Sequence, residues 1–492
     1  MNRWMMSARV GAAVLLLGSA GRVEAQVRKD VPGTALFDGK TLNGWKQVGS
    51  ARFAVQPDGS LRAEGGKGAL YAAKPYRDFA LELDFKVDNG STDSGILLRA
   101  DSARADAGYQ IQIRQEPVGG PYERYQRMTG AVDGVAAPTH LAAKPVGEWN
   151  HYRIEVAGQR YRVWLNGELV NDYFGTRARE GLVGLESPDT TPAVSFRNVR
   201  LTTLPAGPER LGDAFTKGPK PIKVLVVTAT HGFRHTEAID ASREVLPELA
   251  RTTEFTFDFA DTAGAINAAN LARYDVLFLD NATLRGAPAD TTEAARAAVR
   301  AGPRPPKDPL TLEQQRALDA WVRAGHGVAL AHSGLDAMYG SASYREMVGG
   351  GLFEMHPWIE PVHFNVEDRN NAATKPFGSG VWIRDEIYVL DVSPRATSHV
   401  LLSLDKPSAG EPNVPSGNQP VRVTPGVARS DHPTSWVRKH GDGRVFATLL
   451  GHFGDVWHRP DFLQHLLTGL RIAAGTVPAD FTPGVGATTG SR

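Results

Sequence analysis

The sequence predicts two folds in one chain. The first is an all-β, two-sheet antiparallel sandwich of the jelly-roll kind, and the second is an open α/β sheet. Three observations predict them. From about residue 35 to residue 204, apolar and polar residues alternate in short runs broken by Gly, Asp and Asn, the pattern of strands with one wet face. From residue 222 the pattern becomes short, wholly apolar runs followed by helical periodicity, as in buried parallel strands covered by helices. Residues 205–221 between them are rich in Pro and Gly and read as an interdomain linker. A chain of 492 residues is also too long for one ordinary core.

Residues 1–25 are expected to be a signal peptide. Arg3 and Arg9 make a basic start, residues 10–17 are apolar, and Val23-Glu24-Ala25 ends as a small-x-small cleavage site. The apolar run is too short for a stable bilayer span, so the expectation is a periplasmic or secreted protein with no membrane association after cleavage. Cysteine is absent, which excludes disulfides, thiolate metal ligands, a cysteine nucleophile and a lipid-modified cysteine. The 55 basic residues balance 54 acidic ones and form no charge run, so no nucleic-acid partner is expected.

Within residues 35–204 the strands show clear alternation. Phe79, Leu81, Leu83, Phe85 and Val87 alternate with Ala80, Glu82, Asp84, Lys86 and Asp88. Tyr109, Ile111 and Ile113 alternate with Gln110, Gln112 and Arg114. Tyr161, Val163 and Leu165 alternate with Arg160, Arg162 and Asn166, and Asn166-Gly167 signals a hairpin turn. A strand opening at Ser94 places Gly95, Leu97 and Arg99 on one face. If these strands are neighbours, Arg99, Gln110 and Gln112 line one concave surface, where amides and a guanidinium suit sugar hydroxyls. An ordinary solvated strand face is the plainer alternative.

The α/β half opens with an apolar strand at 222–227, a turn carrying His231, Gly232 and His235, and a helix with Ile239, Leu246 and Leu249 inward. Residues 255–259 and 274–279 read as further strands, the latter ending at Asp280-Asn281. Residues 285–309, rich in Ala and Pro, read as a surface insertion. Thr311 and Gln314 form a capping-box pattern ahead of a helix over 312–324. A strand at 328–331 delivers His332-Ser333-Gly334, and one at 444–450 delivers Gly451-His452. Pro460 opens a last amphipathic helix with Phe462, Leu463, Leu466, Leu467 and Leu470, and residues 476–492 read as a tail.

Of the 14 histidines, only His140 and His151 precede this half. His231, His235, His332 and His452 each follow a predicted strand, and strand carboxyl ends are where open α/β sheets bind ligands, so a shared cleft is expected. General acid–base work by histidine is the least demanding chemistry. A divalent-metal site drawn from His231, His235, His332, Glu367, Asp431, His432 and His452 is a second, although no compact His-Glu-x-x-His motif is present. Ser333 lies in Ala331-His332-Ser333-Gly334-Leu335, which is not a Gly-x-Ser-x-Gly elbow.

Ordered motifs add two resemblances. Phe37-Asp38-Gly39, Leu42-Asn43-Gly44-Trp45, Ser94-Gly95-Ile96, Gly108-Tyr109, Thr129-Gly130-Ala131, Gly147-Glu148-Trp149-Asn150, Trp164-Leu165-Asn166-Gly167 and Phe196-Arg197-Asn198 resemble the 3-keto-disaccharide hydrolase family. That resemblance implies a concanavalin-like sandwich and cleavage of glycosides oxidised at C3. Gln110 stands where many members carry a glutamate, and an amide cannot act as a general base. His231-Gly232-Phe233-Arg234-His235, His356-Pro357, Val366-Glu367-Asp368, Asp385-Glu386, Asp431-His432-Pro433 and Gly451-His452-Phe453 resemble the trehalose-utilisation ThuA-like family. This implies a flavodoxin-like fold of the class I glutamine-amidotransferase type over 222–475, without the amidotransferase cysteine. Asn370, Asn371 and Ala372 replace the family's histidine and proline, and residues 406–430 read as a variable loop.

The expectation is therefore an exported enzyme that cleaves 3-keto-glycosides by elimination and hydration. A sugar-binding protein without turnover and a keto-sugar isomerase are the alternatives. Catalysis is assigned to His231, His235, His332, Asp431, His432 and His452, and substrate binding to Arg99, Gln110, Gln112, Arg234 and Glu367. The partner is a small-molecule sugar; no cofactor is assigned, and a divalent metal is the candidate these side chains offer.

Overall fold

The computed structural model describes residues 33–104, 106–120, 122–188, 193–285, 309–410 and 430–484. The expected signal peptide, nearly all of the 285–309 insertion, most of the 406–430 loop and residues 485–492 lie outside the described residues.

The sandwich is built from β1 (Thr34–Ala35), β2 (Trp45–Gly49), β3 (Arg52–Val55), β4 (Leu61–Glu64), β5 (Gly68–Tyr76), β6 (Phe79–Val87) and β7 (Ser94–Ala100). It continues through β8 (Tyr109–Ile113), β9 (Asn150–Ala157), β10 (Arg160–Leu165), β11 (Glu168–Phe174), β12 (Gly181–Ser187) and β13 (Val194–Thr203). One sheet runs β11-β10-β9-β6-β13-β4-β3, with β1 on β13, and the other runs β2-β5-β12-β7-β8. All pairings are antiparallel, and the inward apolar residues of both sheets, among them Phe79, Leu81, Ile96, Ile111, Tyr152 and Leu185, make one core. The period-two residues are inside because the pleat sends them there.

The α/β half comprises β14 (Ile222–Val227), α1 (Thr236–Ala250), β15 (Phe255–Ala260), α2 (Ala268–Leu271), β16 (Val276–Asp280), α3 (Leu312–Arg323), β17 (Gly327–Ala331) and α4 (Ala342–Val348). After these come β18 (Phe353–Val366), β19 (Gly380–Leu390), β20 (His399–Leu404), β21 (Pro433–His440), β22 (Gly443–Thr448) and α5 (Pro460–Ala473). The capping box of Thr311 and Gln314 is formed at the start of α3. Its sheet runs β15-β14-β16-β17-β22-β21-β20-β18-β19. The first five strands are parallel, and the rest extend the sheet in antiparallel fashion. Among the described residues, no helix is long and apolar enough to cross a membrane.

One detail of this sheet positions the site. The 14-residue β18 pairs with β20 only through Phe364, Asn365 and Val366. Its earlier residues pair with β19 alone, so the upper half of this hairpin leaves the sheet. The bulges between Phe353 and Trp358 bend it further.

One expectation is corrected here. Residues 476–484 are not a free tail: Val477, Ala479 and Phe481 pack on the α/β core, and Gly484 donates to the Arg395 carbonyl. The linker is also docked, since Leu211 and Phe215 are buried in the same core. Apolar side chains in both segments find cover, which outweighs the freedom that Pro and Gly composition implies.

Candidate active site

His235, His332 and His452 converge, and Glu386 joins them. One ligand atom from each lies within 4.8 Å of those of the others, and all four residues are buried. His235 precedes α1 at the end of β14, His332 follows β17, and His452 follows β22, so all three occupy strand carboxyl ends. Glu386 arrives from β19, in the half of the hairpin that leaves the sheet, opposite Ile359.

Hydrogen bonds fix the tautomers. His332 Nδ1 is 2.9 Å from the Leu449 carbonyl, which can only accept, so the proton is on Nδ1 and Nε2 offers a lone pair. That Nε2 is 3.2 Å from Glu386 Oε2 and 3.0 Å from His452 Nδ1. His452 Nδ1 is in turn 3.1 Å from Glu386 Oε2. Thr283 donates its hydroxyl proton to Ser333 Oγ at 3.0 Å, which leaves it to accept from His235 Nδ1 at 3.4 Å. The Nε2 lone pair of His235 then accepts from the Tyr388 hydroxyl at 3.4 Å.

Backbone and carboxylates support this arrangement. His332 has φ of 45°, a left-handed conformation that non-glycine residues hold only under constraint and that recurs at functional sites. Asp385 accepts from the backbone N–H groups of Gly451 at 2.7 Å and His452 at 3.1 Å, which seats the turn carrying His452. Burial disfavours charge on His235, and with His332 and His452 nearby its pKa is well below the usual value. Burial also opposes charge on His452, but Glu386 and Asp385 outweigh it and raise its pKa. For Glu386, desolvation is overcome chiefly by the nearby charge of His452, with His356 adding to it, and its pKa is well below the usual value.

Three imidazoles and one carboxylate fit a first-row divalent ion. Tetrahedral zinc with bonds of ~2.0–2.1 Å sets its donors roughly 3.3–3.4 Å apart. The separations among His332, His452 and Glu386 are close to that spacing. The lone pairs of His332 and His235 are directed by hydrogen bonds on the other ring nitrogen, the usual support for metal-binding imidazoles.

A second polar cluster lies on the outer face of the five-stranded sheet. Gln110 Nε2 donates to Glu186 Oε2 at 2.7 Å and to Gln112 Oε1 at 3.0 Å. Gln112 Nε2 donates to Asp93 Oδ1 at 2.8 Å, and Arg114 Nη1 to Asp93 Oδ2 at 3.0 Å. Gly95 leaves room for the row, because a Cβ there would meet the Gln110 side chain at 2.5 Å.

Residues 223–473, more than half of the chain, match the model of the ThuA family, described as trehalose utilisation. The chain belongs to the ThuA family. Residues 32–202 match the model of a 3-keto-alpha-glucoside-1,2-lyase-like domain. A curated relative named 3-keto-disaccharide hydrolase, from Bacteroides thetaiotaomicron, is 26% identical over 34% of this chain and 77% of its own length. A ThuA-like protein of solved structure from Bacteroides uniformis is 18% identical, covering 53% of this chain and 93% of its own, with a TM-score of 0.38. Carbohydrate-binding module CBM66 from Bacillus subtilis is 20% identical over 32% of this chain and 96% of its own, with a TM-score of 0.26.

In the ThuA domain, His235, His332 and His452 come together, and the other expected residues do not join them. His231 is held by its backbone against Thr283 and Arg285, and Arg234 is exposed. Asp431 and Glu367 both pair with Arg395, at 2.6 and 2.7 Å, and this ion-pair network on the antiparallel extension accounts for their charge. His432 is buried near Trp358, with ring centroids 6.0 Å apart. In the sandwich, Gln110 and Gln112 share a face as expected, but Gln112 is buried beneath it rather than lining an open surface, and Arg99 is not on that face. Its φ of 51° breaks the alternation and turns the side chain inward, where it is 1% exposed and donates to the carbonyls of Arg77, Gly158 and Ala178.

Glu386, His356, Glu186 and Asp93 are members of these clusters that sequence reading left out of the site. His356 Nδ1 lies 3.3 Å from Glu386 Oε1. The available signal for Glu386 was the Asp385-Glu386 pair inside an otherwise buried strand, where charge has to be compensated.

Proposed function

We propose that the ThuA domain binds one divalent metal ion through His235, His332, Glu386 and His452 and cleaves sugars that carry a ketone at C3. The convergence of three histidines and a carboxylate at the strand ends carries the reading. The substrate class is supported by the sandwich's match to a 3-keto-alpha-glucoside-1,2-lyase-like domain and by the relative named 3-keto-disaccharide hydrolase. An ion bound there supplies Lewis acidity toward the ketone or enolate oxygen.

The chain's own groups handle the protons. A C3 ketone acidifies the C2 hydrogen. A base takes that proton, the C2–H electron pair becomes the C1–C2 π bond, and the C1–O pair leaves with the glycosidic oxygen, which is protonated. Water then adds its oxygen to C1 and a proton to C2, giving net hydrolysis. With His235, His332 and His452 committed as ligands, His356 is the histidine left for proton transfer: its side chain is 34% exposed and faces Glu386. This differs from displacement by paired carboxylates. The sandwich is assigned sugar binding through the half-buried Gln110 and Glu186, with the buried Gln112 holding the Gln110 amide, since that amide cannot act as a base. The reading includes export, motivated by residues 1–25, and mass analysis of the mature N-terminus tests it.

The test of the reaction is product formation from a 3-keto-disaccharide and from its unoxidised parent, with and without chelator. The expected result is cleavage of the keto sugar alone, lost with chelator and restored by zinc. Saturable binding of both sugars with cleavage of neither overturns the hydrolytic reading.

A further inference from the structure

We infer that the β-sandwich is a working part of the ThuA metal site, and that Tyr122 is the positioning residue through which it acts on Glu386. The inference rests on the metal reading above and extends it to the other half of the chain.

The two oxygens of Glu386 face different ways. Oε2 is turned to His332 Nε2 at 3.2 Å and His452 Nδ1 at 3.1 Å. Oε1 is turned to His356 Nδ1 at 3.3 Å and to the Tyr122 hydroxyl, which donates to it at 3.4 Å. His356 belongs to the ThuA domain, whereas Tyr122 lies on the long connection between β8 and β9 of the sandwich.

That connection is gripped by the strand that carries Glu386. Arg384, two residues earlier on β19, donates through Nη2 to the Tyr122 carbonyl. Its guanidinium also lies 3.8 Å from the centroid of the Phe453 ring, next to His452. β19 therefore holds Tyr122 at both ends, carbonyl and hydroxyl. The Tyr122 ring stands 6.0 Å from His452 and 6.2 Å from Phe453. The same connection is tied again by Ala137, whose N–H donates to Asp455 Oδ2 at 2.9 Å.

A carboxylate ligand has to present one oxygen to the ion and keep the other engaged, or it rotates away. The partners that do this are worth roughly 10–100-fold in metal affinity. The phenol of Tyr122 supplies such a bond from outside the ThuA domain, and metal loading thereby depends on the docked sandwich.

Zinc titration against a chromophoric chelator tests this on the full chain, comparing wild type with Tyr122→Phe and Tyr125→Phe. Tyr125 is a neighbouring sandwich tyrosine whose hydroxyl does not reach Glu386. Tyr122→Phe is expected to weaken zinc binding about tenfold with the apo melting temperature unchanged, and Tyr125→Phe to leave affinity as it was. Hydrogen exchange on wild type is the second measurement: residues 122–128 are expected to exchange more slowly when zinc is added. Wild-type affinity in Tyr122→Phe, or no zinc-dependent protection of that segment, overturns the inference and leaves the metal site standing. A wild-type chain that binds no zinc overturns both.

Discussion

His332 Nε2 and Glu386 Oε2 lie 3.2 Å apart although 54 residues separate them in the chain. Their approach depends on two features of the fold. A left-handed backbone at His332 aims its ring off the end of β17. The β18–β19 hairpin, released from the sheet beyond Phe364, brings Glu386 to that ring.

Loss of the His332 imidazole should abolish the centre. Its Nδ1–H is anchored on Leu449, so no neighbouring group can take the place of Nε2. His332→Ala is expected to reduce zinc affinity by on the order of 100-fold or more, with keto-sugar turnover lost. Competition titration and a single-turnover assay measure the two effects, and unchanged affinity removes His332 from the ligand set.

Asp280 predicts a pH dependence of stability that is separate from the His235, His332, Glu386 and His452 cluster. It is wholly buried at the end of β16, and burial raises its pKa from 3.8 to about 7. Ser242 Oγ is 2.9 Å from the Ile239 carbonyl and 2.5 Å from Asp280 Oδ2. Hydrogen bonds from Ser242 and Asn281 favour the charged form of Asp280, but burial outweighs them. The folded state therefore keeps a proton that the unfolded chain has released, and stability falls as pH rises from about 4 to about 7. The slope due to this group approaches roughly 1.4 kcal/mol per pH unit inside that window. Asp280→Asn removes the titrating group at nearly the same shape and should flatten the profile in urea melts. A profile identical to wild type contradicts the assignment.

Arg99 should behave as a structural residue. Its side chain is sequestered from solvent, 3.6 Å from Asp78, and satisfies carbonyls of three separate segments. Arg99→Ala is expected to cost about 3–5 kcal/mol, the range for breaking a buried pair. The sugar affinity of the folded fraction should stay at the wild-type value. Chemical denaturation and calorimetric sugar titration separate the two quantities.

Glu186 should act on sugar binding alone. It accepts from Gln110 at 2.7 Å on the outer sheet face, distant in the chain from the proposed zinc ligands. Glu186→Ala leaves the Gln110 amide without that acceptor and should weaken disaccharide binding by a few-fold, about 1 kcal/mol for one hydrogen bond. Zinc affinity should be unaffected. Calorimetry with the same variant reads both, and a parallel loss of zinc binding contradicts the separation.

Much of the architecture was legible in the residues. Alternation marked strands such as β6, β8 and β10 because the pleat forces period two on any sheet with one wet face. Apolar runs marked β14 and β17, and the histidines beyond them marked the strand ends where His235, His332 and His452 meet. Alternation failed at Arg99, where one left-handed residue reverses the side-chain direction. Motif order did not separate Asp431 and Glu367 from the histidines, because their pairing with Arg395 follows from the packing of the antiparallel extension.

By itself the sequence determined the two fold classes, the boundary between them, the family resemblances and three of the four converging side chains. Those properties follow from local periodicity and from residue types at strand ends. Only the tertiary structure decided that Glu386 completes the cluster, that Arg99 is internal, and that Tyr122 of the sandwich reaches the ThuA site. Each of these depends on how a hairpin bends, how one φ turns or how two cores dock, and contacts between distant segments leave no period in the chain that forms them.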